Sequence, residues 1–132
     1  MGMKILIVDD DKFLLDMYSI KFSERGFELE SASSAEEALK KISGDWRPDI
    51  YLVDIIMPVM DGFQLIEELK RQGCRAGSAL VVLSNLGQKE DIEKALSLGV
   101  DGYIVKASAT PSEVVAKVTE IAQHISKPRP KP

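Results

Sequence analysis

Apolar residues fall into two rhythms along this chain. Unbroken runs, Ile5-Leu6-Ile7-Val8, Ile50-Tyr51-Leu52-Val53 and Ala79-Leu80-Val81-Val82-Leu83, have the length and β-branched content of strands buried on both faces. Between them apolar residues recur every three or four positions, the spacing of helices. The first helix is expected from Asp11 or Lys12 to Arg25, with Leu14, Met17, Tyr18 and Phe22 inward and Gly26 as its stop. A short alternating strand follows from Phe27 to Ser31. Ser34 and Glu37 form a capping box for a second helix with Ala38, Leu39 and Ile42 inside, ended by Gly44. Arg47-Pro48 leads into the third strand. After the loop Val59-Met60-Asp61-Gly62, Leu65, Ile66 and Leu69 mark a helix stopping at Gly73. A fourth helix from about Lys89 carries Ile92, Ala95 and Leu96 inward and stops at Gly99. Gly102 to Val105 is the fifth strand. Thr110-Pro111-Ser112-Glu113 opens the last helix, whose stripe is Val114, Val115, Val118, Ile121, Ala122 and Ile125.

Five strands alternating with five helices predict an α/β fold: a doubly wound parallel sheet with helices on both faces and right-handed crossovers. Such sheets commonly take the flavodoxin-like order 2-1-3-4-5, with the ligand crevice at the carboxyl edge between strands one and three. That edge is where Asp9-Asp10-Asp11 and Asp54 leave the first and third strands. Ser84 and Lys106 end the fourth and fifth strands on the same edge.

Composition narrows the class. The 132 residues suit one domain, expected over 1–125, with 126–132 as a tail that alternates Pro with cations and reads as linker. A net charge of -4 without a basic face argues against direct nucleic-acid binding by this domain. The single cysteine, Cys74, permits no internal disulfide and reads as a packing residue in a reducing compartment. No signal-peptide pattern and no membrane-length apolar run is seen, so a cytoplasmic, membrane-free chain is expected.

Asp9, Asp10 and Asp54 placed together on that edge repel unless they hold a proton or a cation. All-oxygen ligation with room for water suits Mg²⁺, or Mn²⁺. A carboxylate can also be a covalent nucleophile toward phosphorus. Lys106 could neutralise charge on a transferring phosphoryl group, and the Ser84 hydroxyl could donate to it. The glycine-rich phosphate loops of nucleotide-binding folds are absent, and the acidic turn after the first strand would repel a nucleotide. Asp54 is followed by Ile55-Ile56 rather than by a second acid two residues on, which disfavours a haloacid-dehalogenase-type phosphatase.

The runs Ile7-Val8-Asp9-Asp10-Asp11, Leu52-Val53-Asp54-Ile55-Ile56-Met57-Pro58-Val59-Met60-Asp61-Gly62, Val82-Leu83-Ser84 and Gly102-Tyr103-Ile104-Val105-Lys106, in this order and spacing, resemble the response-regulator receiver domain of two-component signalling from about Lys4 to Ile125. The resemblance implies a phosphoprotein in which Asp54 accepts a phosphoryl group from a sensor histidine kinase or phosphotransfer protein. It also implies a Mg²⁺ site of Asp10, Asp54 and the Ile56 carbonyl, with Asp9 reaching the ion through water. Lys106 would pair with the phosphoryl group. Ser84 and Tyr103 would form the switch that remodels the face of helix four, strand five and helix five, toward an output domain, a partner or a second copy. The chain would assist its own phosphotransfer and dephosphorylation without being an enzyme with turnover.

Two positions depart from the family pattern. Ala107 stands where Pro often follows the lysine, and Asn85 follows Ser84 where a small residue is usual, so Asn85 is expected to modulate phosphotransfer or loss. Simpler roles compete: Asp11 as a helix cap, Asp61-Gly62 as turn and cap, Tyr103 as a sheet aromatic, His124 as a surface residue at a helix end. The competing functions are a receiver-like interaction module that works without phosphate and a Mg²⁺ phosphohydrolase. The latter lacks a second acid or histidine placed for general acid/base work.

Overall fold

The computed structural model describes residues 2–42, 46–74 and 77–126, with side chains through residue 124. The elements are β1 (Lys4–Val8), α1 (Lys12–Glu24), β2 (Glu28–Ala32), α2 (Ala35–Lys41), β3 (Ile50–Val53), α3 (Gly62–Arg71), β4 (Ala79–Ser84), α4 (Lys89–Ser97), β5 (Gly102–Val105) and α5 (Pro111–Ser126), with one 3-10 turn at Lys106–Ser108. All four strand pairings are parallel and the order is β2-β1-β3-β4-β5. This is the doubly wound flavodoxin-like sheet expected from the alternation of elements.

The pleat of the strands sorts the core into two layers. Ile5, Ile7, Ile50, Leu52, Val81, Leu83 and Ile104 face α1 and α5, meeting Leu15, Tyr18, Phe22, Val114 and Val118. Leu6, Val8, Tyr51, Val53, Leu80 and Val82 face α2, α3 and α4, meeting Ala38, Ile42, Leu65, Ile66 and Ala95. Alternation then assigns each residue that follows a strand to a layer. Asp9, Asp54 and Lys106 continue the α1/α5 side, two residues beyond Ile7, Leu52 and Ile104. Ser84, two residues beyond Val82, continues the α2–α4 side. The ladder runs on past the strands: Asp9 donates its N–H to Ala32 and Asp54 its N–H to Val8.

Several expectations shift in detail. The second strand starts and ends one residue later than the apolar alternation suggested. The buried stripe of α1 is centred on Leu15, Tyr18 and Phe22, with Leu14 and Met17 partly buried and packed against the same cluster. The Ser34 hydroxyl caps α2 as expected, but Glu37 turns back to the N–H of Ser33 rather than of Ser34. Gly44 and the tail beyond residue 126 lie outside the described residues. Leu96 was expected inside and is 54% exposed. Ala95 alone is buried on α4, so the covered stripe is too narrow to reach Leu96. No helix among the described residues is long and apolar enough to cross a membrane.

Candidate functional site

The carboxyl edge brings together the groups expected there. The Lys106 ammonium lies 2.8 Å from Asp9 Oδ2 and 3.1 Å from Asp54 Oδ2. The other oxygen of each acid is held by its own loop: Asp9 Oδ1 accepts the Asp11 N–H at 2.9 Å and Asp54 Oδ1 accepts the Ile56 N–H at 3.3 Å. Both acids are buried, while Asp10 is exposed at the rim. Asp9, Asp10 and Asp54 each offer an oxygen within 4.8 Å of the others, the spacing a single cation could span. Asp11 turns away and caps α1, accepting the Leu14 N–H.

Burial raises the Asp9 carboxyl above its ordinary value, and the charge of Asp54 adds to the rise; the Lys106 and Asp11 hydrogen bonds offset only part of it. Burial pulls Lys106 down, but the bond to Asp9 and the charges of Asp54 and Asp9 outweigh it and hold the ammonium above its ordinary value. One ammonium is thus shared by two carboxylates, and it offsets only part of the cost of burying the Asp9 charge, so a second positive charge at this edge is favoured.

The loop after Asp54 is shaped by two backbone demands. Gly62 opens α3 with its N–H on the Ile55 carbonyl at 2.8 Å, and Asp61 caps that helix in a capping box with Gln64. Val59 takes a φ of 70° and is 89% exposed, while Ile56 beside the site is 54% exposed.

Ser84 is fully buried and its oxygen accepts the Leu86 N–H at 3.3 Å. The Tyr103 hydroxyl donates to the carbonyl of the same Leu86, and the Tyr103 ring packs against the α2–α4 layer. Burial pushes its phenol up, and the charges of Asp91 and Asp54 add to this. Leu86 is therefore the shared partner of the expected switch pair. Sequence reading missed it because its part is played by backbone atoms, which leave no mark in side-chain patterns. Asn85 is exposed beside Ser84. His124 is exposed in the last turn of α5. Cys74 is buried, and its carbonyl accepts the Tyr51 hydroxyl at 3.0 Å.

A family model of the response regulator receiver domain matches residues 5–119. The phosphate regulon transcriptional regulatory protein PhoB of Escherichia coli is 31% identical over 96% of this chain and 54% of its own length. The chemotaxis protein CheY of Halobacterium salinarum is 32% identical over 85% of this chain and 91% of its own length. The chain spans about half the length of the PhoB and SaeR relatives it matches. A crystal structure of a CheY-like receiver domain protein from Methanospirillum hungatei superposes with a TM-score of 0.86 at 31% identity, covering 96% of this chain and 98% of that one. With the sheet order, the acidic edge and these matches together, the chain belongs to the response regulator receiver domain family of two-component signalling.

Proposed function

We propose that Asp54 is the phosphoacceptor of this receiver and that residues 1–125 act as a Mg²⁺-dependent phosphorylation switch. The observation that carries the reading is Lys106 held between Asp9 and Asp54 with Asp10 at the rim. An Asp54 oxygen attacks the phosphorus of a phosphohistidine on a sensor histidine kinase or phosphotransfer protein. The P–N bond breaks, its electron pair returns to the imidazole nitrogen, and that nitrogen takes up a proton. Lys106, already beside Asp54, stays with the phosphoryl oxygens and balances their charge. Attack of water on phosphorus later releases phosphate and regenerates the carboxylate.

The all-oxygen donor set fits a hard divalent cation. Asp10, Asp54 and the Ile56 carbonyl would hold Mg²⁺, or Mn²⁺, with Asp9 acting through water, and the ion would supply charge neutralisation at the phosphoryl group. Ser84 would donate its hydroxyl proton to a phosphoryl oxygen. Tyr103 would follow through Leu86, altering the face of α4, β5 and α5 that meets an output domain, a partner or a second copy. Asn85, exposed beside Ser84, would set how readily water enters. The reading implies a cytoplasmic chain acting by binding rather than turnover.

Incubation with Mg²⁺ and acetyl phosphate should add one phosphoryl group by intact mass, lost in Asp54→Asn and in EDTA. Absence of any adduct from acetyl phosphate and from a histidine kinase would overturn the reading. Equal dephosphorylation rates for wild type and Asn85→Ala would remove the role of Asn85.

A further inference from the structure

Helix α4 has few holds of its own. Side chains of Asp11, Ser34, Asp61 and Thr110 cap α1, α2, α3 and α5, whereas α4 starts at Gln88, whose side chain makes no capping bond. Ala95 is the one buried residue of α4. Beside it, the Lys94 ammonium lies over the Phe63 ring at 4.4 Å from the centroid, within cation–π range. Glu90 stands four residues before Lys94, the spacing of a helical ion pair. Among the described residues Lys94 makes no ion pair, and the ammonium takes the ring instead. Phe63 is buried in the α2–α4 layer at the first turn of α3. Its neighbour Gly62 is bonded to the Ile55 carbonyl, one residue past Asp54. One charge thus ties α4 to the turn that follows Asp54.

We infer that the Lys94–Phe63 stack is a clasp that holds α4 in its resting position, and that the switched state is reached by releasing it. A helix with one buried residue and no side-chain cap is held weakly, so a small contact decides how often it leaves its seat. The clasp opens without disturbing the core, because Lys94 is exposed on a flexible stem while Phe63 stays buried. The Leu86–Tyr103 tie lies just before α4, and the clasp gives the helix a second hold, on α3. The effect on phosphorylation rests on Asp54 being the phosphoacceptor; the clasp itself does not.

The test is amide hydrogen exchange of α4 in the unphosphorylated protein, with α5 as the internal reference. Lys94→Met removes the charge and keeps a long stem and a similar helix preference. It should speed exchange in α4 about two- to fivefold, the factor an exposed cation–π contact supplies, and leave α5 unmoved. Lys94→Arg, which also stacks on rings, should restore the wild-type rate. In a Phe63→Leu background Lys94→Met should add nothing. No change in α4, or the same factor in both backgrounds, would overturn the clasp. Should Phe63→Leu not fold, Glu90→Gln decides: an unmoved α4 upholds the ring as the partner, and a rise equal to that of Lys94→Met assigns the effect to an ion pair and refutes it. With Mg²⁺ and acetyl phosphate, Lys94→Met should speed phosphorylation by a similar factor, and an unchanged rate would refute release as part of switching. If wild type takes up no phosphate, the role of Asp54 fails while the exchange result still judges the clasp.

Discussion

Gly62 lies against the backbone of Asp54: a Cβ built on it would meet the Asp54 carbonyl oxygen at 2.3 Å and the Ile55 Cα at 2.6 Å. Alanine is favoured over glycine in helices by about 1 kcal/mol, so an open site would gain from the change. Here both obstacles are backbone and cannot rotate away. Gly62→Ala should lose about 1–3 kcal/mol in urea unfolding and slow phosphorylation by displacing Asp54. A gain in stability would show that α3 docks less closely.

Val59 holds a left-handed φ of 70° with a β-branched, exposed side chain. Such a conformation costs on the order of 1–2 kcal/mol, and asparagine tolerates it better. Val59→Asn should raise the unfolding free energy measured in urea by up to about 1 kcal/mol. A fall would mean that the valine makes a compensating contact.

Removing the shared cation should expose the cost of placing Asp9 and Asp54 together. Lys106→Met leaves two buried acids uncompensated, a loss on the order of 3 kcal/mol in EDTA. Mg²⁺ should then raise the melting temperature more in Lys106→Met than in wild type, since the ion restores charge balance that wild type already has in part. Calorimetry with and without Mg²⁺ checks this, and an equal rise in both would contradict the shared-cation account.

Because Ser84 and Tyr103 meet at Leu86, their effects should not add. Ser84→Ala frees the Leu86 N–H and Tyr103→Phe frees its carbonyl, each costing about 1 kcal/mol. A double-mutant cycle by urea unfolding should show coupling of at least about 0.5 kcal/mol. Strict additivity would dismiss Leu86 as the link.

The start of α5 carries a pH signature. Thr110 Oγ1 accepts the Glu113 N–H at 3.2 Å, and Glu113 Oε1 accepts the Thr110 N–H at 2.8 Å. The Thr110 backbone bond, with its hydroxyl contributing, holds Glu113 below its ordinary value of 4.5. A depressed acid stabilises the fold above its unfolded value and stops doing so as pH falls through the folded one. Glu113→Gln should therefore lower the thermal midpoint at neutral pH and converge with wild type in acid below both values. Thr110→Ala should cost about 1 kcal/mol.

Much of this was legible because strands buried on both faces leave unbroken apolar runs and their exits leave acids. The sheet order, the edge groups and the caps at Asp61 and Thr110 follow from such local signals. What was not legible depended on how wide a helix stripe the rest of the fold covers. Leu96 and Ala95 look equally apolar in sequence, yet only Ala95 is covered. Leu86 is silent in sequence as well, since its contribution is an amide and a carbonyl.

The two-sided origin of the edge groups has a mechanical meaning. Asp9, Asp54 and Lys106 belong to one layer, while Ser84 and the Leu86–Tyr103 tie belong to the other. Under the proposed function, a phosphoryl group on Asp54 would draw Ser84 across the end of the sheet and with it the Leu86–Tyr103 tie. The rim of β1, β3, β4 and β5 would then work as a fulcrum: load would enter beneath α1 and α5, and displacement would emerge beside α4.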